Sequence, residues 1–162
     1  MLVEGDAFFG FLATDAVEPW LPESSEQNRV VIQAAASAAG TFARGGYATV
    51  FDGVVGPWFL PTFAGATGLD RLDYVILFPP VETCVQRVRT RQDHGFADEA
   101  ATRKMHAEFA SAPIAERHVI TDPPDAVDDV VLAVESARAN GDLTYECREF
   151  RRASRGSAIP SR

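Results

Sequence analysis

Lysine is almost missing from this chain: Lys104 is the only one in 162 residues, and the other 14 of its 15 basic residues are arginines. Any ammonium contact to an anion would therefore have to come from Lys104, which falls inside a predicted helix with no glycine beside it. Histidine numbers three. His94, His106 and His118 are scattered at no ligand spacing, which argues against a metal centre built on imidazole. The two cysteines, Cys84 and Cys147, stand too far apart for a zinc or redox motif, and two thiols do not make a disulfide scaffold, so a reducing cytoplasm is the expected setting. Positive charge is in deficit as well. With 15 Lys and Arg against 23 Asp and Glu the formal net charge is −8, the wrong sign for broad contact with nucleic acid or an anionic membrane. No apolar run approaches the roughly 20 residues of a membrane-spanning helix, and the first residues carry no basic–apolar–small leader pattern.

What is present is ordinary globular composition, 46% hydrophobic and 23% charged, enough to build a core. The pattern predicts one α/β domain over residues 1–144. An Arg- and Ser-rich tail without apolar periodicity follows over 145–162, where disorder is expected. Leu2-Val3-Glu4 reads as the end of a strand. Ser24-Ser25 with Gln27 reads as a capping-box start for a helix over 26–44, with Val31, Ala35, Ala38 and Phe42 on its inner face and Gly45-Gly46 as its stop. Tyr47 to Phe51 predicts a buried strand, 53–70 a loop with one helical turn near 59–64, and Tyr74 to Phe78 a strand stopped by Pro79-Pro80. Helices follow over 81–91 and from the cap Asp98 to about Ser111, then a strand over 117–121 and a closing helix over 125–140 ended by Gly141. Short, wholly apolar strands alternating with helices predict a parallel sheet covered by helices on both faces.

In such sheets ligands gather beyond the carboxyl ends of the strands. Asp6 and Asp52 stand there, one after each of the first two strands and each beside a glycine. A carboxylate in that position can take a proton from a substrate hydroxyl or hold Mg²⁺ through water, although Asp-Gly at a strand end is also plain turn chemistry. Arg87 and Arg91, four residues apart on a predicted helix, could share one face and clamp an anion or stack on a ring; a solvated arginine face is the alternative. Trp20 and Trp58 lie in Pro- and aromatic-rich loops, where they suit a pocket wall or packing equally. Arg148, Arg151, Arg152 and Arg155 read as a solvated tail.

Residues 2 to about 141 resemble small P-loop kinases of the shikimate, gluconate and adenylate kinase type, and in particular chloramphenicol phosphotransferase-like proteins and bacterial AAA-domain proteins of similar size. Val3-Glu4-Gly5-Asp6-Ala7-Phe8-Phe9 resembles the family's second strand, whose terminal aspartate contacts the acceptor hydroxyl. Tyr47 to Gly53 resembles the third strand, and Val75 to Pro80 followed by Arg87 and Arg91 resembles the fourth strand and the arginine-bearing lid helix. The resemblance implies a three-layer P-loop NTPase-like fold and transfer of the γ-phosphoryl of ATP, with Mg²⁺, to a small hydroxylated molecule. Asp6 and Asp52 would be catalytic, and Arg87 and Arg91 would contact the nucleotide.

One element of the family pattern has no counterpart. Such kinases place G-x-x-x-x-G-K-[ST] after the central first strand. The nearest string here, Gly40-Thr41-Phe42-Ala43-Arg44-Gly45-Gly46-Tyr47, lacks the Lys and the Ser/Thr and runs from helix into strand. The expectation is a truncated kinase-like domain whose central strand is missing, which binds ATP poorly as given and whose start lies upstream or whose gene is shortened. The alternative is a non-catalytic remnant or binding module that associates with itself or a partner through the open sheet. No membrane or nucleic-acid partner is expected.

Overall fold

The structure, a computed structural model, describes residues 1–91 and 96–147. The predicted disordered tail therefore lies, beyond Cys147, outside the described residues, as do His94 and Gly95. The described chain is mixed α/β and divides into two compact units: Met1–Leu72 with Glu146 and Cys147, and Asp73–Tyr145. Among the described residues no helix is long and apolar enough to cross a membrane.

In the first unit, strand β1 (Leu2–Glu4) pairs in parallel with β2 (Val50–Asp52), in the register Leu2 to Val50, Val3 to Phe51 and Glu4 to Asp52. Period-two alternation puts Val3 and Phe51 on one face and Leu2 and Val50 on the other. The first face is covered by helix α1 (Ser25–Arg44) and helix α2 (Leu60–Thr67), where Ile32, Ala36, Val55 and Phe63 form the core and Phe51 meets Phe63 edge-on at 4.7 Å. On the second face no described element covers Leu2 or Val50. Val50 is 64% exposed and Tyr47 60%, so the segment predicted as a buried strand is exposed on one side and forms ladder only from Val50.

Helix α1 begins one residue earlier than its composition suggests, and the capping box does not form. Residues Pro22–Ser24 already turn as 3-10 helix, so Ser24 Oγ points back and donates to the carbonyls of Pro19 and Leu21. Gln27 instead grips the incoming chain, donating to Val17 O and accepting from Val17 N. The inner face is Val31, Ile32, Ala35, Ala36, Ala39 and Gly40, while Phe42 turns outward. Small residues let α1 and α2 approach closely: a Cβ on Gly40 would collide with the backbone of Thr67. Arg44 donates to the same Thr67 carbonyl, and α2 closes on Gly68 in the left-handed conformation at φ 69°.

The chain crosses between units at two short strands that pair, β3 (Arg71–Asp73) and β6 (Thr144–Glu146). Neither was visible as a strand in the sequence pattern. Because β6 runs to Glu146 and Cys147 is buried, ordered structure extends past residue 144, where the tail was expected to begin.

The second unit holds β4 (Ile76–Phe78) in parallel with β5 (Val119–Thr121), in the register Ile76 to Val119 through Phe78 to Thr121. Helix α3 (Val81–Thr90) starts directly after Pro80, and α4 (Glu99–Ser111) is capped by Asp98, whose Oδ1 accepts from Ala101 N at 2.9 Å as predicted. Helix α5 (Val127–Ala139) has no buried residue, and Val127, Val131 and Leu132 are exposed. Among the described residues β2 has only β1 beside it and β4 only β5.

Candidate functional site

Two strand ends hold the candidate residues, one in each unit. In the first unit, Asp52 is the last residue of β2, and Gly5 N donates to its carbonyl at 2.7 Å, so the chain leaves β1 tied to the end of β2. Asp6 opens a 3-10 helix (Asp6–Phe11) immediately beyond. The register thus brings Asp6 and Asp52 to the same carboxyl end of one parallel pair, as their sequence positions suggested. The glycines beside them answer to packing: a Cβ on Gly5 would stand 2.6 Å from Phe51 Cζ, and one on Gly53 3.0 Å from Phe51 Cε1. Glycine at both positions thus leaves room for the Phe51 ring, so packing alone accounts for the glycine beside each aspartate.

In the second unit, the carboxyl ends of β4 and β5 open on a cleft of about 300 Å³. Its two walls are diproline steps, Pro79-Pro80 leading into α3 and Pro123-Pro124 following β5. Polar groups reach into it from Thr83, Arg87, Asp122 and Asp125. Proline fixes φ and offers no N–H, so the walls are rigid and the hydrogen-bonding vocabulary is mainly that of the four side chains. Asp122 holds φ 50°, a left-handed conformation that Asp tolerates better than most residues, while its N–H donates to Phe78 O at 3.0 Å. Arg87 Nη2 lies 3.4 Å from Asp125 Oδ1. Arg87 also acts on Cys84, where burial raises the thiol pKa and the guanidinium opposes that rise.

Arg91 departs from expectation. Helix α3 ends at Thr90, and Arg91 is its C-cap with extended backbone (φ −68°, ψ 121°), its N–H closing the last turn on Arg87 O at 3.0 Å. Arg91 is exposed and does not line the cleft; the shared helical face expected for Arg87 and Arg91 stops at Arg87. The i, i+4 spacing alone does not reveal where a helix stops.

The arginine that is most firmly held is one the sequence did not single out. Arg103 on α4 makes a bidentate pair with Glu82 on α3, at 2.6 and 2.9 Å, and bonds Glu99 at 3.0 Å. These bonds raise the Arg103 pKa further and hold Glu82 below the ordinary carboxylate range. The helical i, i+4 spacing of Glu99 and Arg103 was legible; the 21-residue step to Glu82 was not. Two histidines are structural. His106 stacks on Phe78 at 4.3 Å with Nε2 3.1 Å from Pro79 O, and His118, 1% exposed, sets Nδ1 3.0 Å from Tyr74 O. Burial lowers the His118 pKa and raises that of the Tyr74 phenol.

The residues that the sequence reading missed in the cleft are Thr83, Asp122 and Asp125. Their signal was the recurrence of Pro-Pro after each strand of a parallel pair, which reads first as punctuation. No protein-family model and no curated protein matches the chain.

Proposed function

We propose that the chain carries the framework of an ATP-dependent phosphotransferase acting on a small hydroxylated molecule, with its phosphate grip lacking in these 162 residues. The observation that supports this reading best is the cleft at the carboxyl ends of β4 and β5, with one arginine and rigid walls at the position where open parallel sheets receive ligands. Support also comes from the first unit, where Asp6 and Asp52 share the carboxyl end of β1 and β2 and would serve the acceptor hydroxyl, one as proton acceptor and one as hydrogen-bond anchor. The three-layer P-loop-like arrangement belongs to the same proposal, supported by two parallel pairs in which, among the described residues, β2 has only β1 beside it and β4 only β5.

The fit to Mg²⁺–ATP is incomplete. Among the described residues no group of three or more His, Cys, Asp and Glu side chains is gathered that could hold a metal, and the sequence has no Gly-rich loop with a lysine for the phosphates. No step through the nucleotide is therefore assigned. Titration of the chain with ATP and Mg²⁺, followed by calorimetry and amide shifts, is expected to show only weak binding, in the millimolar range typical of a single unassisted anion contact. Its shifts should be confined to Thr83, Arg87 and Asp122. Micromolar affinity would overturn the missing grip, and unmoved cleft signals would overturn the kinase framework.

A second reading is a binding module that associates through its open strands. Leu77, in the middle of β4 and 45% exposed, favours it, because its backbone groups face the unpaired edge. Light scattering at rising protein concentration separates the two: a steady monomer mass removes this second reading.

A further inference from the structure

We propose that Asp125 is a resident anion for Arg87, a carboxylate that holds the guanidinium across the cleft until an anionic group of a ligand displaces it. The partners come from different parts of the chain, 38 residues apart, and both line the cleft. At 3.4 Å it is longer than the 2.7–2.9 Å of a tight charge-assisted bond. The Arg87 side chain is 54% exposed and that of Asp125 99%, so water and salt screen the attraction and breaking it costs little.

Charge in the cleft gives the displacement a consequence. Arg87 is the single cation of the lining, and Asp122 and Asp125 are two carboxylates, so an approaching anion meets net negative charge. An anion that takes over Arg87 must therefore push Asp125 aside, and a monoanion gains little by replacing one carboxylate with another. A phosphoryl-type anion, with more charge and three acceptor oxygens to share with Thr83, gains more. Asp125 thus grades ligands by charge through a small competition for Arg87, favouring the phosphoryl-type anion. Asp122 lines the same wall without an ion pair to Arg87 among the described residues, which makes it the matched control. The proposal depends on the proposed function only in taking Arg87 as an anion contact.

Inorganic pyrophosphate, without metal or acceptor, tests it on the full chain, so a failed phosphotransfer assay leaves the outcome readable. Binding is followed by amide shifts of Thr83 and Arg87 at low salt in wild type, Asp125→Asn, Asp122→Asn and Arg87→Gln. Both aspartates are exposed, and unchanged amide spectra away from the cleft verify the fold of each variant. Asp125→Asn is expected to tighten binding about threefold to tenfold, the range of an exposed pair plus one unit of charge. Asp122→Asn should tighten it by a smaller factor, and Arg87→Gln should abolish it. In wild type, the Asp125 carboxyl carbon should shift on saturation as it leaves Arg87. Equal gains from Asp122→Asn and Asp125→Asn would reduce the effect to general field and overturn the proposal. So would unchanged affinity in Asp125→Asn, or absence of pyrophosphate binding in every variant.

Discussion

The two units are built by different means. The first is held by shape: α1 and α2 press a run of small residues together over Ile32, Ala36, Val55 and Phe63, and its sheet contributes Val3 and Phe51 to the same side. Among its described residues the second has few buried side chains, Val85, Ala101, Leu143 and His118 among them. Its elements are tied by charge instead: Arg103 on α4 joins Glu82 on α3, and Arg138 on α5 pairs with Asp73 of β3 at 3.2 Å. Packing is indifferent to salt and to mild acid; ion pairs and a buried imidazole are not. One chain should therefore show two kinds of sensitivity, and mutation, pH and salt can separate them.

The largest effect is expected from the shape-held unit. Phe63→Ala removes a ring that is 7% exposed and its edge-on partner contact with Phe51, and should destabilise the chain by about 3–5 kcal/mol. Urea unfolding followed by the amides of α1 and α2 measures it, and a loss under 1 kcal/mol would mean that this core is loosely packed.

An intermediate effect is expected from His118. The free imidazole takes up a proton near pH 6.5, whereas burial in the folded chain keeps it neutral to lower pH. Between the two values the unfolded chain binds more protons, so stability is full above pH 6.5 and falls as the pH drops through that window toward the folded value. Each pH unit of depression corresponds to about 1.4 kcal/mol. Hydrogen exchange at β4 and β5 between pH 7.5 and pH 5, corrected for intrinsic rates, should show the loss. His118→Gln should flatten the profile, and an unaltered profile would remove His118 as its source.

The smallest effect is expected at Arg103, whose partners are solvent-exposed. Arg103→Met should loosen α3 against α4 at low salt, and added NaCl should shrink the difference between variant and wild type. Hydrogen exchange in α3 and α4 at two salt concentrations is the measurement. A difference that persists in high salt would assign the joint to the packing of the arginine stem rather than to charge.

The contrast also explains what could be read from the sequence. Helix existence was legible because caps and periodicity are local: Asp98 capped α4, Gly45-Gly46 ended α1, and Gly141 (φ 79°) ended the last helix. The strands of three residues were legible where β-branched and aromatic residues cluster, as in Ile76–Phe78, and illegible where they do not, as in Arg71–Asp73 and Thr144–Glu146. Burial was misread at Tyr47 and Val50 because an apolar strand predicts a covered face only if some element is there to cover it. Of the candidate site, Asp6, Asp52 and Arg87 were found by their position after strands or on a helix. Asp122 and Asp125 depended on which side of a proline pair faces the cleft, which no local pattern encodes.

The paired proline walls carry a last consequence, for how readily this cleft can be re-tasked. Four of its eight lining residues offer no amide hydrogen, and the ladder between β4 and β5 lies beneath them, not among them. Ligand preference is thus written mainly in Thr83, Arg87, Asp122 and Asp125, side chains whose exchange leaves the strand hydrogen bonds intact. Only Asp122 constrains the choice, since its backbone conformation admits Asn or Gly more easily than a branched residue. A library over these four positions would vary recognition while holding the scaffold constant.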